Sequence, residues 1–281
     1  MLTGSIATAF MVGHTPKVED STLCLPRMLC LHGGGTNANI FRIQCRVLER
    51  SLRSSFRLVY AQAPFPAQPG SDVTSVYKRY GPFRAWQRST TDDPEYSPQY
   101  IVDQIHISLT ATMHADDQQG ATGPWVALMG FSQGAKIAAS ILYLQQIREM
   151  HSMQNTVGWP EFRFALLLAA RGPLLWLEPE MTMPPWLVNA SRPSVFLDEP
   201  DLVDAPEERL LRIPTIHVHG LRDPGLELHR RLLQRYCDPK CAALLEWDGG
   251  HRVPIKTRDI NAVVEYVYSL ARDTGVFSGW S

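Results

Sequence analysis

A serine between two glycines is the feature of this sequence with the clearest chemical potential. The segment GFSQG places Ser132 between Gly130 and Gly134, directly after the β-prone run WVALMG and at the start of the helix-prone run GAKIAASILYLQQIREM. A G-x-S-x-G motif in that context predicts a tight strand-to-helix turn that exposes the hydroxyl above a sheet, at the positive end of a helix. The alternative is a chance match in a loop, which the flanking strand and helix patterns disfavour. We therefore predict that Ser132 is a nucleophile.

A serine hydroxyl attacks poorly by itself and needs a base that a third group orients. Asp223 follows the β-prone run TIHVHG, and His251 follows the run ALLEWDGG. Both follow strands and keep the chain order Ser, Asp, His, so they can meet Ser132 at one edge of a sheet. Each has an alternative role, because Asp223 precedes Pro224 and could cap a helix, and His251 could be an ordinary loop histidine. Asp248 is a less favoured acid, since its strand is not the expected one.

Three further histidines lie in or beside predicted strands. His217 and His219 are inside the run TIHVHG, a position that favours a structural role. His32 ends the first β-prone run, where an imidazole more often braces loops than takes part in catalysis. We therefore expect none of these three side chains to be the base.

Acyl chemistry also requires hydrogen-bond donors for the negative charge that develops on the carbonyl oxygen. The backbone N–H of Gln133, at the predicted helix start, is one candidate. The loop LHGGGTN after the first β-prone run offers another, because consecutive glycines allow a backbone to turn its N–H groups inward. We expect Gly34 to supply that second donor, and the alternative is a flexible turn without a role in binding.

Short β-prone runs alternate with helical patterns along the chain. Strands are predicted at RMLCLHG, RLVYAQAP, WVALMG, FALLLAA, TIHVHG and ALLEWDG, and helices at NIFRIQCRVLERSL, GAKIAASILYLQQIREM, LELHRRLLQRYC and TRDINAVVEYVYSLARD. Strands that are apolar on both faces and alternate with helices predict an α/β fold, with a mostly parallel sheet covered by helices on both faces. We expect one domain over residues 25–281, after an N-terminal extension at residues 1–24.

Two irregular segments interrupt this alternation, at residues 65–100 and 171–212. The first is rich in Pro, Gly and aromatic residues, and the second in Pro, Trp and acidic residues. Both follow predicted strands at the carboxyl edge, where open α/β sheets bind ligands, so we expect them to form lids or pocket walls. Six aromatic side chains are candidates for the pocket, with ordinary core packing as the open alternative: Tyr77, Tyr80, Phe83, Trp86, Trp176 and Trp186.

Composition and charge restrict the possible function classes. The net charge is −1, which provides no electrostatic basis for binding nucleic acid or an acidic membrane. The apolar runs are too short to span a bilayer and the N-terminus lacks the basic region of a signal peptide, so we expect a cytoplasmic protein. Five cysteines without a pairing pattern indicate reduced thiols rather than a disulfide framework or a zinc set. The predicted chemistry requires no metal and no organic cofactor.

The segments LCLHGGGTNANIF, GFSQGA, GLRDP and GGHRVP together resemble the fungal serine hydrolases of the α/β-hydrolase fold, the family that includes the lovastatin-pathway thioesterase. The resemblance extends from about Leu25 to Leu270. The positions that it implies for the nucleophile, the orienting acid, the base and the two oxyanion donors are Ser132, Asp223, His251, Gly34 and Gln133. The resemblance also implies a polyketide or other acyl substrate, because many members release or edit polyketide chains held as thioesters on an acyl carrier protein in secondary metabolism.

We therefore predict a serine acyl hydrolase, and the resemblance favours a thioesterase that acts on an acyl carrier protein. A carboxylesterase or an acyltransferase for small oxyesters is the alternative within the same enzyme class. A non-catalytic binding or scaffold protein is the alternative outside it, and the presence of Ser, Asp and His argues against that. A basic stretch with Lys78, Arg79, Arg84 and Arg88 could meet an acidic carrier protein or its phosphate-bearing arm, although such charges are often a solvated rim.

Overall fold

The structure is a computed structural model that describes residues 20–70, 73–151, 158–194 and 203–278. Most of the predicted N-terminal extension and residues 195–202 of the second irregular segment lie outside the described residues. The strands, in chain order, are β1 (Arg27–Leu31), β2 (Arg57–Ala61), β3 (Phe65–Pro66), β4 (Arg84–Ala85), β5 (Trp125–Phe131), β6 (Phe164–Leu168), β7 (Leu175–Trp176), β8 (Val188–Asn189), β9 (Thr215–Gly220) and β10 (Ala242–Trp247). Six of them form one parallel sheet in the order β10-β9-β6-β5-β1-β2.

Helices cover both faces of this sheet. They are α1 (Ala38–Gln44), α2 (Arg46–Leu52), α3 (Thr74–Tyr77), α4 (Pro98–Gln118), α5 (Gln133–Met150), α6 (Leu226–Tyr236) and α7 (Thr257–Asp273). The apolar side chains of α4, α5 and α6 pack on one face, and those of α1, α2 and α7 pack on the other. The predicted α/β class, with a parallel sheet between two helical layers, is therefore confirmed.

Alternation of side chains along β1 explains why the strands are apolar throughout. Leu29 and Leu31 belong to the core under α4 and α5, whereas Met28 and Cys30 belong to the core under α2 and α7. Successive residues of a strand point to opposite faces, so a sheet that is covered on both sides needs apolar residues at every position. The same rule explains the near-continuous apolar runs of β5 and β6.

Helix α5 lies at the centre of one layer and is buried along almost its whole length. It packs against β1, β5, β6 and β7. Small side chains at Ala135, Ala138 and Ala139 are fully buried and allow the helix to lie close to the sheet. The start of α5 is therefore fixed at the carboxyl edge of β5, in the middle of the sheet.

Two helical predictions need correction. The pattern NIFRIQCRVLERSL predicts one helix, but the structure has two, with Cys45 as the shared end between α1 and α2. Helix α4 was not predicted, although Ser97 caps it by accepting a hydrogen bond from the Tyr100 N–H and Pro98 occupies its first turn. The buried residues of α4 recur every four positions, beginning with Ile101 and Ile105. Its many β-branched residues favour strands, so the sequence did not indicate this helical repeat.

The two irregular segments form small sheets above the carboxyl edge. Strands β3 and β4 pair in the first segment, and β7 and β8 pair in the second. The segments also contact each other, because the Ser194 N–H donates to the Arg88 carbonyl at 3.1 Å and the Gln87 amide donates to the Arg192 carbonyl at 3.1 Å. The first segment is shorter than predicted, since residues 98–100 belong to α4.

Within the described ranges, the structure has no helix long and apolar enough to cross a bilayer. The five cysteines are unpaired thiols, and Cys30, Cys45 and Cys237 are buried. Burial raises the pKa of the Cys237 thiol to about 12. A buried thiol with such a high pKa stays protonated and unreactive at neutral pH.

Candidate active site

Ser132 lies in the turn between β5 and α5, where the motif places it. Its backbone has φ 52° and ψ −116°, a conformation that costs a non-glycine residue on the order of 1–3 kcal/mol. The flanking glycines make this turn possible. A Cβ atom on Gly130 would collide with the backbone of Ala135, and one on Gly134 would collide with the Leu31 carbonyl oxygen of β1. The strand, the turn and the helix therefore hold the hydroxyl at the carboxyl edge of the sheet.

A chain of hydrogen bonds connects Ser132 to a histidine and an aspartate. The Ser132 Oγ lies 3.0 Å from His251 Nε2, and His251 Nδ1 lies 2.7 Å from Asp223 Oδ2. Asp223 follows β9 and His251 follows β10, which are neighbours in the sheet, so parallel strand ends bring the two side chains together. The Asp223 side chain is fully buried, whereas that of His251 is 18% exposed. Solvent and a substrate can therefore reach the imidazole but not the carboxylate.

The structure places Asp223, and not Asp248, beside the histidine. The Asp248 side chain is 72% exposed and pairs with Arg222 at 3.0 Å. The Asp223 Oδ1 also accepts a hydrogen bond from the Gly225 N–H at 2.8 Å, but the cap residue of α6 is Gly225 itself and no side chain caps this helix, so the structure does not show the alternative role of Asp223 as a helix cap. Burial by itself would raise the pKa of Asp223, but hydrogen bonds from His229 and His251 hold it well below its usual range. Asp223 is therefore a charged carboxylate at neutral pH.

Two rings hold the His251 imidazole in place. The Phe131 ring, next to Ser132 in sequence, lies 5.0 Å from it between centroids. The His229 ring is nearly parallel to it at 6.0 Å. Neither residue was predicted from the sequence. Phe131 is visible only as the variable position of the motif, and His229 lies within an amphipathic helix where nothing in the pattern marks it as functional.

Gly34 and Gln133, the predicted oxyanion donors, are neighbours in space. Gln133 is the first residue of α5, so its backbone N–H has no acceptor within the helix. The Gly34 N–H likewise donates no hydrogen bond to the described part of the chain. A Cβ atom on Gly34 would lie 3.2 Å from the Gln133 Oε1, which shows how closely the two residues pack. The role of these two backbone N–H groups as oxyanion donors stays a prediction.

The Gln133 side chain has a second, unpredicted role as a bridge to both irregular segments. Its Oε1 accepts a hydrogen bond from the Trp86 N–H at 2.7 Å. Its Nε2 donates to the Gln87 carbonyl at 3.0 Å and to the Ser194 Oγ at 3.3 Å. One buried amide therefore ties the start of α5 to both segments above the sheet.

Comparison with known proteins assigns the family. Residues 22–263 match the family model described as Serine hydrolase (FSH1). The chain belongs to this serine hydrolase family. It is 59% identical over 266 residues to esterase dbaE of Emericella nidulans, covering 93% of this chain and 96% of that protein. It is 52% identical over 262 residues to esterase pigG of Monascus ruber, covering 92% of this chain and 96% of that protein. A solved structure, esterase PE8, is similar at 17% identity and a TM-score of 0.48, covering 88% of this chain and 93% of that one.

The other strand-end histidines of this serine hydrolase have structural surroundings. His32 Nε2 accepts from the Ala63 N–H at 3.0 Å, and its Nδ1 donates to the Gly33 carbonyl at 2.7 Å. His32 thus braces the loop that carries Gly34. His217 and His219 are fully buried in β9. Burial lowers the pKa of His32 to about 4, that of His217 to about 3 and that of His219 to about 4.

The six aromatic residues suggested for a pocket of the serine hydrolase are dispersed. Trp86 is fully buried and donates from Nε1 to the His32 carbonyl at 2.8 Å, and Trp176 is only 5% exposed, so both positions match the core-packing alternative. The Trp186 Nε1 donates to the hydroxyl of Tyr143 on α5 at 2.7 Å. The remaining three belong to the first segment: Tyr77 and Tyr80, whose rings are 5.8 Å apart, and Phe83. Their role as pocket walls stays a prediction.

A cavity of about 550 Å³ does lie in the first irregular segment. Its aromatic lining comes from Phe65 and Tyr96, whose rings stack 5.1 Å apart, and these were not among the six suggested residues. Gln87 also lines this cavity and accepts the hydrogen bond from Gln133. The cavity therefore adjoins the bridge between α5 and the irregular segments.

The basic stretch of the serine hydrolase divides into two kinds of residue. Arg84 donates to the Pro64 carbonyl at 3.1 Å. Arg88 donates to the Thr91 carbonyl at 2.7 Å and its side chain is only 10% exposed. These two guanidinium groups organise the first segment, whereas Lys78 and Arg79 are exposed. The sequence suggested all four for partner binding, which stays a prediction for each of them.

The potential ligand atoms of Asp223, His229 and His251 lie within 4.8 Å of one another, a spacing that a divalent cation could bridge. The same atoms are engaged in the hydrogen bonds that connect Asp223 to the two histidines. A cation there would separate the carboxylate from His251. The donor set therefore fits a hydrogen-bonded acid and base better than a metal centre.

Proposed function

We propose that this serine hydrolase cleaves acyl esters through a covalent acyl-enzyme on Ser132. The observation that carries the proposal is the hydrogen-bond chain from Ser132 Oγ through His251 to Asp223, with distances of 3.0 Å and 2.7 Å. These are the separations at which a base can take a proton from a nucleophile. In this proposal His251 Nδ1 donates to the Asp223 carboxylate, which leaves Nε2 free to accept the serine proton.

The reaction proceeds in two steps. Ser132 Oγ bonds to the substrate carbonyl carbon while its proton passes to His251 Nε2, and the carbonyl oxygen becomes an oxyanion facing the N–H groups of Gly34 and Gln133. When the carbonyl re-forms, the bond to the leaving group breaks and the leaving group takes the proton from His251. Water then attacks the acyl carbon of the acyl-enzyme while His251 Nε2 accepts a proton from it. The bond from Ser132 Oγ to the acyl carbon breaks, His251 returns the proton to Oγ, and the carboxylic acid is released.

For the substrate, we propose a polyketide or other acyl chain held as a thioester on an acyl carrier protein in fungal secondary metabolism. The support is the resemblance of four motifs to a family that includes such thioesterases, together with the exposed basic residues Lys78 and Arg79. Oxyester hydrolysis is the second candidate, and the similarity to proteins named esterase dbaE and esterase pigG favours it. Acyl transfer to another acceptor uses the same acyl-enzyme.

Labelling with a fluorophosphonate probe tests the nucleophile. We expect the probe to modify the wild-type protein at Ser132, as mapped by peptide mass spectrometry, and S132A to lose both labelling and hydrolysis. The matched control is S51A, because the Ser51 Oγ donates to the Val47 carbonyl of its own helix, α2, at 3.1 Å. Labelling of S132A at the wild-type rate would refute the proposed function.

Three substrates distinguish the two candidates: a short aryl ester, a long acyl thioester of a pantetheine mimic, and the same acyl group on a carrier protein. Under the thioesterase proposal kcat/KM rises in that order, because each buried methylene of the acyl chain contributes about 0.8 kcal/mol and the carrier adds its own contacts. Preference for the short ester, with no gain from the carrier, would favour the oxyesterase. Product analysis with an added alcohol or amine acceptor detects acyl transfer.

A further inference from the structure

His229 is a buried histidine that bridges the ends of two strands in the site. It lies on α6 and is fully buried. Its Nδ1 is 2.9 Å from the carbonyl oxygen of Ala170, just beyond β6, and its Nε2 is 2.9 Å from Asp223 Oδ2, just beyond β9. Strand β6 separates the strand of the nucleophile from the strand of the acid in the sheet. His229 therefore connects the acid to the strand beside the nucleophile.

Both partners of the His229 ring are hydrogen-bond acceptors. The Ala170 carbonyl has no hydrogen to donate. Asp223 accepts from His251 at Oδ2 and from the Gly225 N–H at Oδ1, and the Arg171 guanidinium lies 3.7 Å from Oδ1. This set of donors stabilises an ionised carboxylate. A neutral imidazole has only one N–H, so one of its nitrogens would direct a lone pair at an oxygen at 2.9 Å.

We propose that His229 carries hydrogen on both ring nitrogens and is a positioning residue for the acid of the triad. As an imidazolium it donates to Ala170 and to Asp223, and so fixes the Asp223 carboxylate in the orientation in which Oδ2 meets His251 Nδ1. This inference rests on the roles assigned to Ser132, Asp223 and His251 in the proposed function. It adds a fourth member that touches neither the substrate nor the reacting atoms.

The groups around His229 fit a positive charge on its ring that the Asp223 carboxylate neutralises. The titratable or charged side chains next to the ring are Asp223, His251 and His219, and the His219 ring lies 5.5 Å away. Neither ring nitrogen of His219 has a hydrogen-bond partner within the described residues. His229 lowers the pKa of His219 further, after the larger effect of burial. Asp223 is thus the counter-ion that balances the buried imidazolium.

Two amide variants separate the two hydrogen bonds of His229. The amide of H229Q reaches the position of Nε2 and can donate to Asp223, whereas the amide of H229N reaches the position of Nδ1 and can donate only to Ala170. We expect H229N to lower kcat by about 10- to 100-fold with KM little changed, which is less than the ~10⁴-fold effect of losing an orienting acid. H229Q should stay within about fivefold of wild type. Wild-type kcat in H229N, or equal losses in both variants, would overturn the proposal.

Neutron diffraction from deuterated crystals of S132A at pH 8 tests the proton positions. This experiment depends neither on catalytic activity nor on a variant of His229. We expect deuterium on both ring nitrogens of His229 and none on Asp223. A single deuterium on the ring, or one on the carboxylate, would contradict the inference while leaving the nucleophile untouched. Conversely, hydrolysis by S132A would refute the proposed function and not the protonation of His229.

Discussion

The candidate site has two sides that are held together in different ways. The triad side consists of Asp223, His229 and His251, which lie after β9 and β10 in the chain, and each histidine forms a hydrogen bond with the Asp223 carboxylate. The insert side consists of the irregular segments around Gly34, and the neutral amide of Gln133 ties them together. Under the proposed function a proton moves on the triad side, which therefore needs charge and orientation, whereas the insert side would surround the acyl chain and therefore needs shape.

This difference predicts that catalysis depends on the residues at the strand ends and that selectivity for the acyl chain depends on the inserts. The parallel sheet determines where the residues after β5, β9 and β10 lie, whatever the acyl group. Lids and pocket walls on the insert side can change without disturbing the hydrogen bond from Ser132 to His251. We therefore expect changes on the triad side to affect every substrate and changes on the insert side to affect large substrates most.

The largest effect is expected from the acid. D223N keeps the size of the side chain but replaces an oxygen acceptor by a donor, so His251 loses its orienting partner. We expect kcat to fall by about 10⁴-fold for short and long substrates alike. Steady-state kinetics with an aryl ester and an acyl thioester measure this.

The matched control is D248N, because Asp248 is also an aspartate on these loops but is exposed and paired with Arg222. We expect D248N to be close to wild type. If D248N were the more damaging variant, the acid would have to be reassigned.

The sequence predicts one part of the site better than the other. Ser132, Asp223 and His251 could be located because each follows a recognisable β-prone run, and the parallel sheet was visible in the apolar strands. His229 could not, because its role depends on a carbonyl 59 residues away in the chain. The bridge through the Gln133 side chain depends on segments without periodicity. Helix α4 was missed because its β-branched residues concealed the helical repeat.

A second prediction concerns stability at low pH. His32, on the insert side, and His217, in β9, have pKa values lowered by burial to about 4 and about 3. The unfolded chain binds protons at these histidines near pH 6.5 and the folded protein does not. Their contribution to stability is therefore complete above pH 6.5 and is lost as the pH falls toward 4. Each should lower the free energy of unfolding by about 2 kcal/mol between pH 7.5 and pH 5.

Urea unfolding at several pH values between 7.5 and 5 measures this dependence. H217Q removes one buried imidazole and should make the free energy of unfolding depend less steeply on pH, whatever its effect on absolute stability. H114Q, at an exposed position, is the control for removal of a histidine from the surface. If the free energy of unfolding of H217Q fell with pH as steeply as that of the wild-type protein, the lowered pKa of His217 would be contradicted.

A third prediction tests the bridge on the insert side. Q133A removes the side-chain hydrogen bonds to Trp86, Gln87 and Ser194 and keeps the backbone N–H for the oxyanion. We expect about a tenfold loss of kcat/KM for a long acyl thioester and a smaller loss for a short ester, because only the long chain needs ordered pocket walls. Initial-rate kinetics with both substrates show the difference.

Q146A is the matched control for Q133A. Gln146 is also a buried glutamine of α5, and it also bonds to the backbone of the second segment, at Leu210 and Arg212. It lies at the opposite end of the helix from Ser132. We expect Q146A to reduce stability and leave the ratio of the two substrates unchanged. Equal effects of both variants on that ratio would show that Gln133 acts only through stability.

The smallest effect is expected at the rim of the insert side, where a carrier protein would dock. Lys78 and Arg79 are exposed, and removal of two exposed charges changes an interaction only modestly. The double variant K78Q/R79Q should lower kcat/KM by about three- to fivefold for carrier-bound substrate and leave the pantetheine thioester unaffected. The wild-type advantage should also weaken with added salt, since screening acts over about 10 Å at 0.1 M. The control R50Q/R53Q removes two exposed charges, one in α2 and one directly after it, on the other layer. Equal losses in both double variants would mean that net charge alone attracts the carrier, and no loss in either would leave the rim without a docking role.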